Sequence, residues 1–142
     1  MSDDLVKLYS GRILALAANI PHQGRLPAPD GSAKCRAPLC GSTITVDVMA
    51  ENGRITQFAQ EVRACALGQA SAAILGDEVI GRNLPELQSA RAGLAAMLTT
   101  GAPPPFPAYE VLTPARDYTN RHASILLALD ASIAALLDAA KP

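Results

Sequence analysis

The stretch from Cys40 to Gln69, CGSTITVDVMAENGRITQFAQEVRACALGQ, decides the fold. It opens with Cys40-Gly41-Ser42 and an alternating run, Ile44-Thr45-Val46-Asp47-Val48. Asn52-Gly53 follows, and then a second strand-like run from Arg54 to Val62. Asn-Gly between two such runs is the strongest short-range hairpin signal, because both turn residues need positive φ. A tight hairpin brings the chain back beside its starting point. The residue that enters the first strand and the residue that leaves the second therefore become neighbours. Those residues are Cys40 and Cys65, and Cys65 leads straight into a helix through Ala66-Leu67-Gly68-Gln69-Ala70-Ser71.

Upstream, Ser2-Asp3-Asp4 has the chemistry of a helix start, and Leu5, Leu8, Tyr9, Ile13, Leu16 and Ile20 recur at helical spacing. The spacing predicts a first helix that stops at Pro21. His22 to Gly31 reads as a loop by its Gly and Pro content. Ala33 to Leu39 is expected to be a third strand, held to a sheet edge by Pro38. Downstream, an alanine-rich helix is predicted from Ala66 to about Ile80, ended by Gly81. A second follows from Leu84 to Thr99, capped by Asn83 with Pro85 in its first turn. Gly101 to Pro107 is a rigid Pro-rich corner, and Tyr109 to Arg116 has no decisive pattern. The last helix is predicted over Arg121–Ala140 with Asn120 as its cap. Ile125, Leu126, Leu129, Ile133, Leu136 and Leu137 form its stripe, and His122 opens that buried face. Strands early and helices late give an α+β class: a three-stranded, mostly antiparallel sheet packed against several helices, in one domain over residues 1–142.

Composition narrows the function. The chain has 142 residues, 49% of them hydrophobic, and a formal net charge of −1, which suits a domain with a real core. Without clusters of Lys and Arg it has no nucleic-acid footprint. No apolar run approaches about 18 residues, so no membrane span is predicted. Met1 to Lys7 lacks a basic and then apolar leader, which predicts no signal peptide and a cytoplasmic address. Three cysteines are an odd number for a disulfide framework, so metal or sulfur chemistry is the more informative use of them. No P-loop, G-x-G-x-x-G after a strand, G-x-S-x-G or H-E-x-x-H motif is present.

Cys65 stands where a strand gives way to a helix, near unpaired backbone N–H groups, a setting that favours the thiolate. A buried structural cysteine is the plain alternative. Cys40, between Pro38 and Gly41, lies in a shaped loop and gains weight as the partner of Cys65. Cys35 is an odd number of residues from Cys40, so an extended strand puts the two on opposite faces, and it joins the site only if Pro38 turns the chain. His122, at the start of a helix, is either a satisfied core residue or a ligand, and imidazole suits zinc and iron beside thiolates. His22 is expected to be exposed and without a role.

Four segments, in order and spacing, resemble the IscU/NifU family of iron–sulfur cluster assembly scaffolds, which includes SufU. They are Asn19-Ile20-Pro21-His22-Gln23-Gly24-Arg25-Leu26, Ala37-Pro38-Leu39-Cys40-Gly41-Ser42, Ala64-Cys65-Ala66-Leu67-Gly68-Gln69-Ala70-Ser71 and Arg121-His122-Ala123-Ser124-Ile125-Leu126. The resemblance implies a scaffold and not a turnover enzyme. Such a protein takes sulfur from a cysteine desulfurase, gathers iron, builds a [2Fe–2S] cluster on thiolates and passes it to client or carrier proteins. Many relatives also hold zinc in the same site. It further implies that Cys40, Cys65 and His122 are the ligands of the cluster or metal, as a monomer or homodimer. Two positions depart from the pattern. Ser42 replaces the family's acidic residue, and Ala123 replaces its third cysteine, the expected sulfur acceptor. Residues Asp117-Tyr118-Thr119 mark an insertion ahead of His122. The position left open on a tetrahedral metal could take Cys35, water, an external thiol or a ligand from a second subunit.

Three readings follow. The first is an iron–sulfur scaffold or carrier with an incomplete ligand set. The second is a relative that binds zinc or assembly partners without building clusters. The third is an enzyme with Cys65 as its nucleophile, and it ranks last because His122 is the only evident base.

Overall fold

In the computed structural model, residues 9–142 are described. The predicted helix start at Ser2-Asp3-Asp4, with Leu5 and Leu8, lies outside them. The hairpin forms as expected. Strand β2 (Thr43–Glu51) pairs antiparallel with β3 (Arg54–Arg63), from Thr43 opposite Arg63 to Glu51 opposite Arg54, with one irregularity at Met49/Ala50. Asn52 at φ 53° and Gly53 at φ 78° make the left-handed pair that a two-residue hairpin needs. Strand β1 (Gly31–Arg36) pairs antiparallel with the other side of β2, so the sheet order is β1-β2-β3 and β1 is an edge strand. It starts earlier than predicted and ends before Pro38. A proline has no N–H for a ladder, and the chain spends that position on a turn.

Helix α1 (Gly11–Ala18) begins at Ser10, whose Oγ accepts the Ile13 N–H at 3.4 Å. It is shorter than the predicted run to Ile20, and among its apolar residues Ile13 is fully buried while Leu14 is exposed. Helix α2 (Ala66–Glu78) buries Gly68, Ala70, Ser71, Ala72 and Ala73, small residues that allow close approach. Helix α3 (Leu84–Thr100) has the reciprocal cap of Asn83 and Glu86, and ends at Gly101 with φ 77°. The undecided segment is a run of 3-10 turns over Pro107–Asp117, followed by one more turn, Thr119–Arg121.

Helix α4 (His122–Ala139) closes the fold. Asn120 does not cap it, because that residue lies inside the 3-10 turn; Arg121 holds the cap position without a side-chain bond. The single apolar stripe also proves too narrow. Leu127, Ala128, Ala131, Ser132 and Ala135 are buried too, because α4 packs against β1 and β2, and also against α2 and α3. Within Thr119–Ala139 an 18-residue window reaches a mean hydropathy of 1.5, enough by length and composition to cross a membrane, yet 56% of that window is buried in the domain. Gly31 is where β1 crosses α4: a Cβ there would meet the Ala135 carbonyl and the Ala139 amide.

The loop after α1 is tied to the outer face of the sheet. Asp47 is fully buried. It accepts from Arg25 Nε at 2.7 Å, Arg25 Nη2 at 3.1 Å, Ser32 Oγ at 2.6 Å and the Leu26 N–H at 3.0 Å. Beside it, Gly24 N–H donates to the Gln60 carbonyl at 3.0 Å and Gln60 N–H to the His22 carbonyl at 2.9 Å, so the loop runs along β3. His22 is exposed, with φ 61°.

Candidate functional site

The site is built at the open end of the hairpin. Between β1 and β2 the chain makes a tight turn, Ala37–Gly41. It is closed by the Gly41 N–H on the Ala37 carbonyl at 2.9 Å and the Ala37 N–H on the Ser42 carbonyl at 2.8 Å. Gly41, at φ 71°, supplies the left-handed step. The turn pushes Pro38 and Leu39 outward, Leu39 to 79% exposure, and leaves Cys40 half-buried against the core. At the other end of the hairpin Cys65 is the N-cap residue of α2, with φ −67° and ψ 170°. Its carbonyl accepts the Gln69 N–H at 2.9 Å.

The Cys65 side chain makes no capping bond. Cys65 thus stands at the helix start as expected, but its sulfur takes no bond from the N–H groups there. Its Sγ lies 3.6 Å from Ser124 Oγ in the first turn of α4. Ser124 Oγ lies 3.1 Å from Ser42 Oγ, and Ser42 Oγ lies 3.2 Å from Cys40 Sγ. The two thiols are thus linked by a chain of two hydroxyls, both buried. Gly68 allows this approach: a Cβ there would stand 2.5 Å from Ser124 Oγ and 2.8 Å from the Ala64 Cβ.

The proton count of this chain has a chemical consequence. Four neutral groups carry four protons for three contacts. When Cys40 loses its proton, the remaining three can all point toward its sulfur, and each contact keeps one donor. Loss of a second proton leaves two donors for three contacts, with two hydroxyl oxygens facing each other. The chain thus keeps a donor on every contact when it carries one negative charge on Cys40. In keeping with this, the hydrogen bond from Ser42 holds the Cys40 thiol below its ordinary value, against the opposing effect of burial.

The other expected ligands are engaged elsewhere. His122 Nε2 bonds to the Ala115 carbonyl at 3.1 Å and the Arg116 carbonyl at 3.0 Å, so its ring secures the 3-10 segment to α4. Cys35 sits on β1 opposite Ile44 and packs against the core, where burial and the nearby Asp130 carboxylate push its thiol up. The chain does turn at Pro38, but the turn does not bring Cys35 to the pair. Among the described residues, no group of three or more His, Cys, Asp or Glu is placed to hold a metal ion. Ala123 is exposed. The residue that the sequence reading passed over is Ser124; its one signal was a serine among the apolar residues at the start of the last helix. His122→Ala is expected to lower stability by about 1 kcal/mol, the worth of a lost hydrogen bond, and to leave the alkylation rates of Cys40 and Cys65 unchanged. Urea unfolding and rates of iodoacetamide labelling check this.

Comparison with known proteins follows this geometry. Residues 8–105 match the family model described as NifU-like N terminal domain. The fold is similar to the crystal structure of a nitrogen-fixing NifU-like protein (N-terminal) from Brucella abortus, with TM-score 0.90 and 40% identity over 95% of this chain and 96% of that one. It is also similar to a candidate iron–sulfur cluster assembly scaffold for the SUF system from Fervidobacterium islandicum AW-1, with TM-score 0.81 and 19% identity over 92% and 98% of the two chains. That second likeness is one of fold. No curated protein matches the chain.

Proposed function

Since this chain belongs to the NifU-like N-terminal domain family, we propose that it is a scaffold or carrier in iron–sulfur cluster assembly, holding iron or a [2Fe–2S] cluster as cargo on Cys40 and Cys65. The observation that carries this is the convergence of two half-buried thiols from separate strand ends on one hydroxyl-bridged site. Thiolates are the usual ligands of such clusters, and a cationic cargo offsets the charge that thiolates bring. Ser42 and Ser124 would donate hydrogen bonds to the sulfurs they already face. His122 would join as a ligand only by releasing the Ala115 and Arg116 carbonyls, and Cys35 only by leaving the inner face of β1. A cysteine desulfurase would supply sulfur and client proteins would receive the cluster, so the protein is a carrier and not a turnover enzyme.

A second reading is supported by the site's having two thiols and no third ligand beside them among the described residues. It is a zinc-binding or partner-binding module that builds no cluster. Anaerobic purification with iron, zinc and acid-labile sulfide counted per chain separates the two. Under the first reading iron and sulfide appear in near-equal amounts, and Cys65→Ser loses both. Zinc alone, or no metal in either protein, would favour the second.

A further inference from the structure

We propose that the outer face of the sheet, at its thiol end, docks an acidic segment of a different protein and not a second copy of this chain. The inference rests on the scaffold reading in one respect: docking there would bring a partner to Cys40 and Cys65.

Strand register sets out this face in rows. Ser32, Asp47 and Ala59 form one row, which the Arg25–Leu26 loop covers. Lys34, Thr45 and Glu61 form the next, and Arg36, Thr43 and Arg63 the last. Among the described residues no loop covers these two rows. Lys34, Arg36, Glu61 and Arg63 are exposed, and a shallow cavity of about 220 Å³ opens among Lys34, Thr43, Thr45, Glu61 and Arg63. Arg36 and Arg63 flank Thr43 across two strand spacings, roughly 10 Å.

The charge of this face is local. The chain as a whole carries −1, yet these rows present three cations against one carboxylate. That carboxylate, Glu61, already has Arg25 within 3.8 Å. Among the described residues Lys34, Arg36 and Arg63 take part in no ion pair. The patch also adjoins the site: Arg36 leads directly into the Ala37–Gly41 turn, and Arg63 precedes Cys65 by two residues.

These positions select the partner. A two-fold contact centred on this patch would bring together two faces of the same net sign, three cations and one carboxylate from each copy, and like charges repel. An acidic segment meets the opposite condition. Its carboxylates can pair with the three cations, while Thr43 and Thr45 offer hydroxyl donors between them. Such a contact steers association more than it adds affinity, and salt should weaken it.

The test uses a fluorescein-labelled decaglutamate peptide as the probe, with anisotropy for affinity and amide chemical shifts for location. Binding at low salt is expected, with shifts confined to the two uncovered rows and the Ala37–Gly41 turn. Arg36→Glu/Arg63→Glu should bind at least tenfold more weakly, while Arg12→Glu, an exposed cation in α1, should bind as the parent does. A footprint scattered over the remaining cations, or unchanged affinity in the double variant, would overturn the proposal. So would a concentration-dependent dimer in sedimentation that the double variant abolishes, since that would make the occupant a second copy. Reconstituted with ferrous iron and sulfide in the absence of any partner protein, the double variant should hold the same amounts as the parent. If the parent itself carries neither, the scaffold reading fails, and the peptide footprint still decides the docking proposal.

Discussion

Asp47→Ala is expected to destabilise the protein by about 3 kcal/mol, a loss of roughly 10 °C in Tm. The carboxylate is fully buried and accepts four hydrogen bonds, two of them from Arg25. Its removal leaves the Leu26 N–H and the Ser32 hydroxyl without their acceptor and releases the loop from the sheet. The loss stays near the lower end for a broken buried pair, because the Arg25 side chain is half-exposed and can hydrate. pH separates charge from shape. Burial alone would raise the Asp47 carboxyl, but the donors from Arg25, Ser32 and the Leu26 N–H outweigh it and hold the carboxyl below its ordinary value. Protonation therefore favours the unfolded chain. The contribution is fully present above the unfolded value of about 3.9 and is lost as pH falls through the lower folded value. Urea unfolding of the parent and Asp47→Asn between pH 7 and pH 3 should show a gap that is constant above about pH 5 and narrows below it. A gap independent of pH would refute the assignment.

Gly68→Ala should disturb the thiol site from a residue that carries no chemistry. The added Cβ would meet Ser124 Oγ at 2.5 Å and the Ala64 Cβ at 2.8 Å, with the Ser124 carbonyl at 3.3 Å. Ser124 must turn away or α2 must shift from α4, at a cost of about 1–3 kcal/mol. Either response breaks the contact between Ser124 and Cys65, and with it the path from one thiol to the other. The expected result is lower stability together with altered alkylation rates at Cys40 and Cys65. Removing the hydroxyl in Gly68→Ala/Ser124→Ala relieves the shortest contact, so the double variant should be more stable than the sum of the single effects allows. Strict additivity in that cycle would mean that Gly68 and Ser124 do not act on each other.

The hairpin was legible because its signal is local. Asn52-Gly53 demands a left-handed turn, the alternating residues on β2 demand one buried face, and together they bring the strand ends that carry Cys40 and Cys65 to the same edge. The start of α3 was legible for the same reason: Asn83 and Pro85 act within one turn of the helix end, and the structure adds Glu86 to that cap and Gly101 as the left-handed stop. Misreadings arose where a distant neighbour decides. Periodicity gave α4 one apolar face, but sheet and helices enclose it, so residues off that stripe are buried too. For His122 spacing left two roles open, a satisfied residue or a ligand, and here its ring bonds to the carbonyls of the 3-10 segment ahead of it.

The amino-acid sequence by itself determined the α+β class, the edge position of β1, and the two cysteines at the strand ends, because turn stereochemistry and strand alternation act between residues close in the chain. Only the tertiary structure decided what stands between those cysteines. Ser124 lies 82 residues from Ser42, and reaches it because Gly68 has no side chain where α2 meets α4. A contact of that kind depends on the distance between two packed helices, which no local pattern encodes. The same packing put hydroxyls, and neither a carboxylate nor a third thiol, between the two sulfurs.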